Sequence, residues 1–164
     1  MKTAASLRSF FALTVFALVL TFGPAVKGAE NLGEIISDTG WDKLIGTWVD
    51  EKTKGEINRS TFSWRYQDTV LETITEQPGK ETTSLFGLNP KTGKVFVVAA
   101  DSAGASSSGD VEFKEGVVLF KVGYITETAI EGEVEIKYVL VDDDTIDLVF
   151  AMEEPVTMRL VREK

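Results

Sequence analysis

Leu44-Ile45-Gly46-Thr47-Trp48-Val49-Asp50-Glu51, LIGTWVDE, is the stretch on which the reading of this chain turns. It sets a glycine two residues ahead of a tryptophan, where one apolar period ends and another begins. Upstream, Leu32, Ile35 and Ile36, then Trp41, Leu44 and Ile45, recur at helical spacing on either side of Thr39-Gly40, which predicts one or two short helical turns. From Thr47 onward the apolar period is two. Turn formers punctuate it roughly every eight to twelve positions, the pattern of an antiparallel all-β domain.

That punctuation predicts ten strands: Thr47 to Lys52, Ile57 to Tyr66, Val70 to Glu76, Thr82 to Leu88, Val95 to Asp101, Val111 to Lys114, Val117 to Thr128, Glu133 to Val141, Ile146 to Met152 and Val156 to Arg162. Short links such as Gln77-Pro78-Gly79-Lys80 and Asp142-Asp143-Asp144 favour pairing of each strand with the next. Val134, Ile136, Tyr138 and Leu140 face one way while Glu133, Glu135 and Lys137 face the other. One dry and one wet face is what a sheet curled around its own core requires. The expected fold class is all-β, a closed or nearly closed antiparallel meander β-barrel of about eight to ten strands with a short N-terminal helix. Ser102 to Asp110 (SAGASSSGD) has nothing to bury and reads as a mobile loop near the barrel mouth.

Ahead of the barrel, Lys2 and Arg8 precede the apolar run Phe10 to Phe22, followed by Gly23-Pro24 and small residues. This is the pattern of a cleaved signal peptide over residues 1–28, with the domain occupying 29–164 and a cut at Gly28/Ala29. As a helix the run would rise only about 20 Å against a hydrocarbon core of roughly 30 Å, so no stable membrane insertion is expected. The expected location is periplasmic or extracellular. No cysteine follows the run to be acylated, and none is available for disulfides or thiol chemistry.

The formal charge is −9, and the segment 1–28 holds basic residues but no acidic ones, so the remainder is more acidic still. Nucleic acid and anionic membrane surfaces are poor partners for such a chain. Histidine is absent throughout, which removes the commonest general base and the commonest metal ligand. No cofactor and no metal site is expected. Asp142-Asp143-Asp144 invites a calcium reading, yet consecutive residues of a hairpin turn point apart, and a solvated turn is the simpler account. Glu72 and Asp147 alternate outward, no carboxylate is read on an inward parity, and no catalytic residue is assigned.

Two constellations remain. Gly46, Trp48 and Arg162 form a structural closure: the last-strand guanidinium stacks on the indole and bonds local carbonyls, joining first strand to last. The inward apolar set, Phe62, Trp64, Phe86, Phe96, Phe120, Ile136, Tyr138, Phe150 and Met158, is the candidate lining for a small apolar or amphipathic ligand. Val98 is assigned the same face. The same side chains would equally make a filled core.

The short helix, the Gly-x-Trp and the terminal-strand arginine resemble the lipocalin, or calycin, superfamily. LIGTWVDE, FSW at Phe62 to Trp64, LFGLNPKTGKV at Leu85 to Val95, ADSAG at Ala100 to Gly104, YVLVDDDTI at Tyr138 to Ile146 and the closing LVREK together resemble uncharacterised bacterial exported lipocalin-like domains, often found after SnoaL-like domains. The resemblance covers nearly all of residues 41–164 and implies architecture without chemistry. Haem barrels of the nitrobindin type are similar in outline, but their axial ligand is a histidine. The expected function is therefore an exported, non-enzymatic barrel that binds a small ligand. The alternatives are an acidic protein-interaction or envelope-associated module and, less well supported, a carboxylate-dependent hydrolase.

Overall fold

Asn31 opens the first element with a reciprocal cap: its Oδ1 accepts from the Glu34 amide at 2.9 Å, and its own amide donates to Glu34 Oε2 at 3.3 Å. The result is helix α1 (Leu32–Asp38), seen in a computed structural model that describes residues 31–164. The signal-peptide reading of residues 1–28 lies outside the described residues. Leu32 and Ile36, one turn apart, put the buried face of α1 onto the core. The Thr39 hydroxyl donates back to the Ile35 carbonyl at 2.7 Å, and Gly40, at φ 75°, turns the chain into a 3₁₀ turn at Trp41–Leu44.

Ten strands follow: β1 (Gly46–Asp50), β2 (Arg59–Tyr66), β3 (Val70–Gln77), β4 (Lys80–Asn89), β5 (Lys94–Asp101), β6 (Ser106–Lys114), β7 (Val117–Ile125), β8 (Glu131–Asp142), β9 (Thr145–Ala151) and β10 (Val156–Arg162). Each pairs antiparallel with its sequence neighbours, and β10 pairs with β1, Trp48 opposite Arg162, closing the barrel. Closure leaves no unpaired edge. Among the described residues no helix is long and apolar enough to cross a membrane, which says nothing about strands.

One end of the barrel is plugged. The Gly33 amide donates to the Asp68 carbonyl at 3.0 Å in the β2–β3 turn, and Trp41 Nε1 donates to the Lys114 carbonyl at 2.9 Å at the end of β6. Trp41, Leu44, Ile36 and Leu32 thereby fill this end together with Trp48, whose Nε1 donates to the Leu44 carbonyl at 2.8 Å. The loops after β1, β3, β5, β7 and β9 lie at the opposite end.

Two expectations fail. Ser102 to Asp110 is not a nine-residue loop: only Ser102 to Ala105 make the turn, and Ser106 to Asp110 belong to β6, laddered to β5 and β7. Small side chains hide a strand whose signal is normally carried by bulky ones. Phe96 and Val98 face outward, 39% and 44% exposed, because the inward positions of β5 are Val95, Val97, Ala99 and Asp101. KVFVVAAD is apolar at both parities, so its period could not choose a face.

Candidate functional site

The closing strands meet where the sequence placed them. Arg162 lies over Trp48 with its guanidinium carbon 4.4 Å from the ring centroid, Nη1 donates to the Ile45 carbonyl at 3.0 Å, and Nη2 reaches the Lys43 carbonyl. Gly46 is required for that approach. Its φ is 128°, and a Cβ there would stand 2.7 Å from Arg162 Nη1. The Asp142 to Asp144 turn belongs to the same device, which the sequence did not reveal: Asp144 Oδ1 accepts from Arg162 Nε at 3.1 Å, and Asp143 pairs with Lys43.

Above this seal the rings of Phe62, Tyr138, Phe120 and Phe86 meet across the lumen, edge-on at 6.3 Å for Phe62–Tyr138 and 6.0 Å for Phe86–Phe120, with Phe120 and Tyr138 tilted at 4.8 Å. Tyr138 lies deep enough that desolvation pushes its phenol up to about 12. Even so, it is only partly buried, as are the lumen-facing Trp64, Ile136, Phe150 and Met158. Ile136, Tyr138 and Met158 keep this surface from within their strands, whereas Phe150 is the last residue but one of β9. Ile146, Leu148 and Leu160 on β9 and β10 are nonetheless buried, so the surface left open belongs to particular positions rather than to one whole side of the lumen.

The wall towards the open end has a different chemistry. One inward row runs in direct register from Phe62 through Thr73, Ser84, Ala99, Ser107 and Tyr124 to Gly132. Its neighbour carries Ser60 and Thr75, whose hydroxyls are 3.0 Å apart, with Asn58 Nδ2 donating to Ser60 at 3.2 Å. At the rim a recess of about 270 Å³ is lined by Lys80, Thr82, Asp101, Ser107 and Tyr124 among others. Lys80 Nζ pairs with Asp101 at 3.0 Å, and the Asp101 carboxylate also accepts from the Ala103 and Ala105 amides. The Lys80 bond, opposed by desolvation and helped by those amides, holds its pKa below the ordinary value. Larger hollows, of about 430 and 730 Å³, sit among charged outer side chains such as Lys94, Asp110 and Lys121 or Glu131 and Glu133.

Two inward carboxylates thus correct the sequence reading, which found none. Asp50, two residues beyond Trp48 and so on its face, is 2% exposed just beneath the loop it organises. It accepts from the Thr53 amide at 2.7 Å, the Thr53 hydroxyl at 2.5 Å, the Gly55 amide at 3.2 Å and the Asn58 amide at 3.3 Å. Desolvation pushes its pKa up, but the Thr53, Asn58 and Gly55 bonds together outweigh it and hold the carboxyl below 3.8. Its stabilisation is therefore fully present above the unfolded value and is lost as pH falls through the native one. Asp50→Asn should lower stability at pH 7 by a margin that narrows towards pH 2. Urea unfolding at both pH values checks this, and a constant margin would refute it.

Glu72 and Asp147 do face outward, Asp147 held by Arg159 at 2.8 and 3.0 Å. Thr73 and Ser84 were missed because only the apolar parity was followed, although Thr73 lies two residues from the buried Leu71. Fold and site together define a class: a closed ten-stranded antiparallel meander barrel, plugged at one end, with an apolar lower lumen and a hydroxyl-lined upper one. No family model matches the chain, and no curated protein matches it.

Proposed function

We propose that this chain is an exported lipocalin-like barrel that takes up a small amphipathic molecule through its open end and performs no chemistry on it. The observation that carries this reading is the partial exposure of Ile136, Tyr138 and Met158, which point into the lumen from within their strands, continued towards the open end by Phe150. Such surface is what an apolar ligand would cover. Asp50 and Asp101, the two inward carboxylates, are each occupied by donors from their own loop or a neighbouring lysine, and neither is poised as a general base. The absence of histidine and cysteine points the same way.

Medium-chain amphiphiles should raise the melting temperature by mass action, by an amount that grows with ligand concentration. Thermal melts across a series of such compounds, together with native mass spectrometry of protein recovered from its own host, test this. An empty barrel with a flat melting temperature throughout would refute the reading. A second reading, a protein-interaction module, draws on the exposed Phe96 and Val98 of the outer wall. It would gain if the lumen took up nothing.

A further inference from the structure

Among the described residues, Thr73 carries the fully buried side-chain hydroxyl that the fold leaves without a partner. It is 5% exposed, it sits on β3 between Phe62 and Ser84 in direct register, and its Oγ1 makes no hydrogen bond. The nearby hydroxyls Ser60 and Thr75 satisfy each other, so Thr73 cannot turn to them without breaking that bond. A buried hydroxyl without a partner is destabilising, and folded proteins seldom keep one. Ser84, opposite it, has a second hydroxyl on the same face, while the next inward row carries Leu71, Phe86 and Val97. A polar point thus lies directly against an apolar surface.

Charge narrows the choice of headgroup. Among the described residues, the cations that face the lumen are Arg162 at the sealed end and Lys80 at the rim, and both are engaged by carboxylates. A ligand carboxylate placed beside Thr73 would find no free cation, and a ligand ammonium would find Asp50 and Asp101 already supplied with donors. Burying either charge unpaired is strongly unfavourable.

We infer, building on the binding function proposed above, that the ligand is a neutral amphiphile whose hydroxyl or carbonyl head hydrogen-bonds Thr73 while its apolar part covers the rings below. Thr73 is on this account the residue that selects uncharged heads over ionised ones.

Isothermal titration of the full chain at pH 8 with decan-1-ol, decanoate and decylamine compares three heads on one chain length. The alcohol should bind at least about tenfold more tightly than either ion, since charge burial outweighs a single hydrogen bond. Thr73→Val, nearly isosteric, should weaken the alcohol about five- to tenfold, the worth of one buried hydrogen bond, and leave the ions unchanged. The ligand-free variant should melt at the same temperature as the parent or higher, because an unpartnered hydroxyl has been removed. A structural role for Thr73 would instead lower the melting temperature. Equal affinity for the three heads, or alcohol binding unaffected by Thr73→Val, overturns this inference while leaving the binding function intact. No uptake of any of the three overturns both.

Discussion

Gly109→Ala is expected to remove about 3 kcal/mol or more of folding stability, at the upper end of what overpacking a close-fitted site produces. Gly109 sits on β6 between Val97 of β5 and Val122 of β7. A Cβ there would stand 2.0 Å from the Lys121 carbonyl oxygen and 2.7 Å from Val122 Cα. Both are backbone atoms of the partner strand, so no rotamer change relieves the clash, and β6 and β7 must part. Gly132→Ala is the control. The nearest atoms there belong to the phenol end of Tyr124, which can swing towards the open mouth, so a loss below about 1 kcal/mol is expected. Urea unfolding of the two variants at pH 7 measures the difference, and similar small losses for both would mean that the β6–β7 ladder yields easily.

Arg162→Ala is expected to cost about 2 to 3 kcal/mol, from a stacked cation and lost hydrogen bonds to backbone carbonyls. The guanidinium bonds the Ile45 and Lys43 carbonyls and Asp144 while lying on fully buried Trp48, so one side chain ties the helical plug, the β8–β9 turn and the first strand together. Its partial exposure at the barrel end keeps the figure from being larger. Arg162→Lys should recover little, because a lysine offers no planar face for the indole and no fork for two carbonyls. A double-mutant cycle with Trp48→Phe should show coupling of about 0.5 kcal/mol or more. Additive losses would mean that the stacking contributes nothing beyond the hydrogen bonds.

How far the site could be read from the sequence varied with residue type. Ile136, Tyr138 and Met158 were placed on the lumen side by period, since β8 and β10 alternate, whereas Phe62, Trp64, Phe86, Phe120 and Phe150 were assigned inward as large apolar side chains, and they do face the lumen. Phe96 and Val98 were misplaced where alternation failed. Asp50 was readable in principle, because it shares the face of Trp48, but its burial depends on a loop that folds back over it. The orphan state of Thr73 had no signal at all: which hydroxyls find partners is decided by register across three strands.

Strand number, the meander order, the short helical turns and the Trp48–Arg162 closure follow from local information, namely periodicity, turn formers and one parity argument at the chain's end. These properties are periodic, so a single chain displays them without its partners. Tertiary structure alone decided that Ser106 to Asp110 is strand, that the acidic turn at Asp142 to Asp144 clasps Arg162 and Lys43, and that the upper lumen is hydroxyl-lined while Thr73 stays unpaired. The physical reason is the same in each case. A hydrogen bond, an ion pair or a buried polar group is defined by its partner, and these partners are brought together by closure of the barrel rather than by neighbourhood along the chain.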